Sequence, residues 1–173
     1  MKLRKADSNE LYAVRDFYWN LIDDMEKQQN TVAWKKDVYP TEQFLEESIL
    51  NGTMYVLYID EEITACVVLN SLWNEGYDGL PWSIDCPREK VLVPHALGVK
   101  ADAQNRGVGK CVVEDIIEIA RASDRDTIRL DILSGNAAAE RLYTKMGFKY
   151  VQEKDMFYED TGWTKFIMYE LVL

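Results

Sequence analysis

The chain has 173 residues, 47% of them hydrophobic and 12% aromatic, which is enough apolar material for one packed domain spanning residues 1–173. Twenty Lys and Arg against thirty Asp and Glu give a formal charge of -10, so nucleic acid and anionic membranes are excluded as main partners, while protonated amines are attracted. Cys66, Cys86 and Cys111 lack C-x-x-C spacing and His95 is the single histidine, so no zinc ligand set exists; without a signal peptide or a run of ~18 apolar residues, the expectation is a reduced, metal-free, cytoplasmic protein.

Leu3 lies in a short apolar and basic segment that predicts an edge strand, and Asp7 or Ser8 then offers an oxygen to cap a helix. Leu11, Val14, Tyr18, Leu21, Ile22 and Met25 recur at helical spacing, giving that helix an apolar stripe for core packing. Residues 30–40 hold Trp34, Tyr39 and Pro40 without helical period. Thr41 opens a second helix bearing Phe44, Leu45, Ile49 and Leu50, and Asn51-Gly52 ends it. The runs 54–59 and 63–69 are β-branched and aromatic around Asp60-Glu61-Glu62, which predicts an antiparallel hairpin. Residues 70–90 mix Trp73, Tyr77 and Trp82 with Asn, Gly, Pro and Asp in a loop longer than a hairpin needs, a length often associated with binding.

Residues 91–99 predict a central strand, followed by a glycine-containing turn and a helix whose buried face is Val112, Val113, Ile116, Ile117 and Ala120. Residues 128–133 predict the next strand, joined to the last by a parallel crossover. Asn136 begins a helix with Ala138, Leu142, Tyr143 and Met146, and Gly147 suits a left-handed C-terminal cap. Segments 148–152 and 165–171 complete the sheet around a turn near Asp160-Thr161-Gly162. The fold class is therefore α/β with a mixed sheet, without internal repeats or linkers.

A loop passing from a strand into a helix exposes free backbone N–H groups at the positive end of the helix dipole, and glycines let that backbone approach an anion closely. Here Gln104-Asn105-Arg106-Gly107-Val108-Gly109 stands at the helix start, with Arg106 and Lys110 adding positive charge to an acidic chain. A dinucleotide fingerprint fails because Val112 occupies the place of the third glycine. A Walker A loop fails because Gln104 replaces its first glycine and Cys111 its Ser or Thr.

Over about residues 91–151 the pattern resembles the GNAT acetyltransferase superfamily, whose loop reads Q/R-x-x-G-x-G/A and whose second signature reads N-x-x-A-x-x-L-Y-x-x-x-G-F. The first matches Gln104 to Gly109, behind the strand Leu97-Gly98-Val99; the second matches Asn136 to Phe148, Tyr143 included. The resemblance implies a mostly antiparallel sheet splayed at its fourth and fifth strands and flanked by helices. It implies acetyl-CoA as co-substrate, with Gln104, Asn105, Arg106, Gly107, Val108, Gly109 and Lys110 around the pyrophosphate. The backbone of Leu97 and Val99 would meet the pantetheine arm, and Asn136 and Tyr143 the donor end.

Transfer of acetyl to an amine needs a neutral nitrogen and a protonated leaving sulfur, and an amine with a pKa near ~10.4 is mostly ammonium at neutral pH. By the resemblance Tyr143 is the acid that serves the thiolate. His95 is the candidate base, with an ordinary pKa near ~6.5. The segment His95-Ala96-Leu97-Gly98-Val99 is similar to the strand of arylalkylamine acetyltransferases, which carry a second histidine two residues earlier; Val93 stands there, so a two-histidine relay is ruled out. Cys111 on the cofactor helix has a packing role in this reading, and direct attack in a ternary complex is expected. The acceptor is a small-molecule or peptide amine and the chain a monomer or homodimer. A non-catalytic acyl-CoA sensor and a protein N-terminal or lysine acetyltransferase are the alternatives.

Overall fold

A computed structural model describes residues 2–27 and 34–173. Residues 30–33 of the segment expected to be irregular lie outside the described residues. The chain divides into two compact units, the first Met1–Leu69 with His95–Val112, the second Asn70–Pro94 with Val113–Leu173.

The first unit contains β1 (Arg4–Lys5), α1 (Leu11–Lys27), α2 (Glu42–Leu50), β2 (Met54–Ile59), β3 (Glu62–Asn70, ending one residue past the boundary) and the second half of β4 (Val91–Val99). β1 pairs antiparallel with β2, and β2 antiparallel with β3. The β2–β3 turn is one residue shorter than expected, because Glu62 already pairs with Ile59. Asp60 and Glu61 both take left-handed conformations (φ 50 and 65), and a two-residue turn of that kind matches the twist of the flanking strands.

Glu10 fixes the start of α1. Its carboxylate accepts from the Asp7 backbone N–H (2.7 Å), from Arg4 on β1 (2.7 and 2.8 Å) and from the Tyr58 hydroxyl on β2 (2.6 Å). Thr41 caps α2 by accepting from the Phe44 N–H (3.1 Å). Val14, Phe17, Tyr18 and Leu21 of α1 and Leu45 and Ile49 of α2 form the core with Met54, Val56, Cys66, Val68 and Ala96. The approach of α1 to β4 is close: a Cβ on Gly98 would stand 2.7 Å from Leu21 Cδ2.

The second unit contains the first half of β4, most of α3 (Val108–Ala122), β5 (Thr127–Leu133), α4 (Ala137–Lys145), β6 (Lys149–Tyr158) and β7 (Gly162–Val172). β4 and β5 are parallel through Val91↔Thr127 and Leu92↔Ile128, whereas β5 with β7 and β6 with β7 are antiparallel. With seven strands of mixed direction and four helices among the described residues, the fold is α/β as expected. β6 and β7 extend well beyond the expected segments 148–152 and 165–171. Glu153 and Asp155 interrupt the apolar pattern but occupy the exposed face of β6, opposite Met156, which is buried.

Residues 70–90 form a loop that is exposed along much of its length but turns aromatic side chains inward. They form short 3₁₀ turns at Glu75–Tyr77 and Arg88–Lys90, and Tyr77 and Trp82 pack against Val91, Val93, Met156, Phe166 and Met168. A buried ion pair fastens the segment: Arg129 Nε donates to Glu170 (3.0 Å), Arg129 Nη2 to the Ile84 carbonyl (2.6 Å), and the Ser83 N–H to Glu170 (2.6 Å). The Arg129 guanidinium lies over the Trp82 ring at 4.5 Å.

Candidate functional site

In the first unit the chain leaves β4, makes a 3₁₀ turn at Ala101–Ala103 and enters α3 through the glycine loop. Asn105 (φ 59) and Gly107 (φ 87) both adopt left-handed backbone on either side of Arg106. A Cβ on Gly107 would meet nothing within 4 Å, so glycine is required there by the dihedral and not by crowding. The Cys111 N–H donates to the Gly107 carbonyl at 3.1 Å, closing the first helical turn. The amides of Val108, Gly109 and Lys110 therefore precede the first intrahelical donor and point out of the helix end. Val108 is buried and anchors that end, while Asn105, Arg106, Gly107 and Lys110 are exposed.

Gln104 seats the loop. Its side-chain Nε2 donates to the Val99 carbonyl (3.0 Å), tying the loop to the end of β4. Leu97 and Val99 are half-buried on that strand, as is His95. Between His95 and Leu97, Ala96 has φ 49, a left-handed conformation inside a strand that costs about 1–2 kcal/mol for a residue with a Cβ. The Tyr18 hydroxyl from α1 donates to the Ala96 carbonyl at 2.7 Å, buried and 78 residues away in sequence. Nothing local in His95-Ala96-Leu97 announces this irregularity. A recess of about 290 Å³ on the same unit has Asp16, Asp24, Glu62 and Lys100 in its lining, and Lys100 is neutralised there by Glu62 at 2.7 Å. That recess ends at Ala101, before the loop glycines, and lacks the character of an anion site.

In the second unit Asn136 caps α4, its Oδ1 accepting from the Ala139 N–H (3.2 Å), which leaves its side-chain NH₂ as the free donor face. Tyr143 is 6% exposed and packs edge-on against Phe148, with ring centroids 5.2 Å apart. Burial, aided by the nearby negative charge of Asp131, raises the Tyr143 phenol above its ordinary range. Asp131, on β5, accepts from the Tyr158 hydroxyl at 2.7 Å and interacts with the Tyr77 phenol. Burial pushes its carboxyl upward, and the two phenols oppose that shift.

Several acidic residues with the composition of a cation site are already engaged. Asp23 pairs with Lys36 (2.5 Å), Asp24 with Lys27 (3.1 Å), and Asp78 accepts from the Trp73 indole N–H (3.1 Å). Sequence reasoning passed over Asp131, although a signal existed. In Ile128-Arg129-Leu130-Asp131-Ile132 two charges alternate with apolar residues, which places both on one face of a strand. Arg129 on that face found Glu170; Asp131 found phenols.

The Acetyltransferase (GNAT) family matches residues 19–148. Among solved structures, the chain is similar to a GNAT family acetyltransferase from Streptococcus agalactiae, with 20% identity over 99% of this chain and 95% of that one and a TM-score of 0.81. It is also similar to ribosomal-protein-alanine N-acetyltransferase from Brucella melitensis, with 20% identity, 100% of both chains covered and a TM-score of 0.71. A third similar structure is yncA from Salmonella typhimurium with its cofactor acetyl-CoA, at 20% identity over 99% and 93% of the chains and a TM-score of 0.71. At these identities the structural likeness is one of fold.

Proposed function

Because the chain belongs to the GNAT acetyltransferase family, we propose that residues 1–173 act as one cytoplasmic domain, monomeric or homodimeric, that moves the acetyl group of acetyl-CoA to a primary amine. The observation that carries this reading is the glycine loop, whose left-handed Asn105 and Gly107 present the start of α3. The amides of Val108, Gly109 and Lys110, with the side chains of Arg106 and Lys110, hold the pyrophosphate. Backbone groups of Leu97 and Val99 pair with the pantetheine amides, and the Asn136 side-chain NH₂ donates to the donor molecule.

The neutral amine attacks the thioester carbonyl carbon in a ternary complex. A carbon–nitrogen bond forms, the carbon–sulfur bond breaks, and the sulfur leaves with a proton. Overall, ammonium and acetyl-CoA give the amide, free thiol and one proton. His95 or solvent takes the first proton from nitrogen. A phenol held above its ordinary range stays protonated at working pH, while a thiol ionises near ~8.5, so full transfer from Tyr143 to sulfur is uphill. Tyr143 therefore stabilises the departing thiolate chiefly by donating a hydrogen bond, and nitrogen supplies the proton that sulfur keeps.

The test is thiol release from acetyl-CoA across a panel of small amines and peptides with free N-termini; peptides belong in it because the Brucella relative is named for a ribosomal protein. Wild-type protein turns over at least one acceptor, and Tyr143→Phe keeps acetyl-CoA affinity while slowing turnover roughly 10²-fold. Tight acetyl-CoA binding without thiol release for any acceptor would favour the sensor reading instead.

A further inference from the structure

Glu170 and Asp131 of the second unit are carboxylates in different circumstances. Glu170 is 1% exposed and faces the Arg129 guanidinium at 3.0 Å, so its charge is compensated. Asp131 receives only neutral donors, Tyr158 at 2.7 Å and the Tyr77 phenol, and no Lys, Arg or His among the described residues pairs with it. A desolvated carboxylate without a counter-charge is costly to keep. The Asp131 residue as a whole is half-buried rather than fully enclosed.

The surroundings are aromatic. Tyr158 packs against Phe166 (4.9 Å between centroids), and Tyr77 lies between Trp73 (6.4 Å) and Trp82 (5.5 Å). A carboxylate without a counter-charge is a receptor for an organic cation, whose N–H groups it accepts in charge-assisted hydrogen bonds. The Asp131 charge also reaches Tyr143, the phenol assigned above to the sulfur.

Resting on the acetyltransferase reading, we propose that Asp131, held by Tyr158 and Tyr77, binds the acceptor in its ammonium form and selects cationic primary amines that lack an adjacent carboxylate. The carboxylate lone pairs not used by the phenols accept the ammonium N–H groups. An α-amino acid brings a second negative charge to the same place, where Arg129 offers no relief because Glu170 and the Ile84 carbonyl occupy it. The acceptor's carbon skeleton is apolar, in keeping with the aromatic side chains packed around Tyr77 and Tyr158.

Matched acceptors test this: pentylamine against norleucine and phenethylamine against phenylalanine, each assayed by thiol release with wild-type protein and Asp131→Asn. Wild type prefers the amine by roughly 10²-fold in kcat/KM, and Asp131→Asn raises the amine KM at least ~10-fold and collapses the preference, with acetyl-CoA affinity retained. Equal use of amine and amino acid by wild type overturns the assignment, and needs no variant to fold. A folded Asp131→Asn protein with an unchanged amine KM, or one altered only in kcat, overturns it too. Absence of thiol release with every acceptor removes the acetyltransferase reading itself, an outcome separate from loss of selectivity.

Discussion

Glu10 shows how much one side chain determines when its partners come from three elements. Its hydrogen bond with Arg4, and those from Tyr58 and the Asp7 backbone, lower its carboxyl from an ordinary 4.5 to about 2. A carboxyl lowered on folding contributes stability that is fully present above 4.5 and is lost as pH falls toward 2. Arg4→Ala removes the largest cause of that shift. The variant is expected to lose stability at neutral pH, modestly because Arg4 is a half-exposed surface residue, and that loss shrinks as pH falls from 4.5 toward 2, as denaturant unfolding followed by circular dichroism at several pH values would show. No loss at neutral pH would show that Tyr58 and the backbone N–H suffice. The capping role of this region was legible, since Asp7 and Ser8 stand before a helical stripe; the bond from Tyr58, 48 residues away, was not.

At the scale of elements, the glycine loop and α3 make the sharpest prediction. Gly107 needs φ 87, which an alanine adopts only at a cost of about 1–2 kcal/mol, yet its Cβ would touch nothing. Gly107→Ala is therefore expected to fold, because the loop can relax, and to bind acetyl-CoA about 5- to 30-fold more weakly by calorimetry, that strain expressed as a dissociation constant. Unchanged affinity would mean that the amides of this loop do not hold the pyrophosphate. β4 and the starts of α2, α3 and α4 were read closely, because Thr41, Gly107 and Asn136 act within a turn of where they stand. β6 and β7 were read too short. Glu153 and Asp155 resemble a turn in isolation, and only the pairing of Glu153 with Ile167 and Asp155 with Lys165 shows that they lie on the open face of a long hairpin.

For the whole molecule the net charge of -10 has opposite consequences for the two substrates. A negative field concentrates an ammonium acceptor and repels acetyl-CoA, and salt at physiological strength screens both beyond ~8 Å. Raising ionic strength in steady-state assays should therefore increase KM for the amine and decrease KM for acetyl-CoA. Parallel movement of both constants would indicate a general effect of salt on the protein rather than its field.

By itself the sequence determined the order of the elements, the glycine turn opening α3, the capped helix bearing Tyr143 and the family to which these signatures belong. Each rests on residues close together in the chain, where dihedral preference, hydrogen-bond capacity and apolar period act locally. Tertiary structure alone decided that Ala96 would be twisted within β4 under the Tyr18 hydroxyl, that residues 70–90 would be pinned by Arg129 and Glu170, and that Asp131 would face phenols, with no cation beside it among the described residues. Those outcomes depend on which distant side chain arrives opposite a buried charge or carbonyl. The loop proposed to hold the acyl donor could accordingly be read from adjacent residues, whereas the candidate for recognising the acceptor appeared only once β5, β6 and the 70–90 segment were packed together.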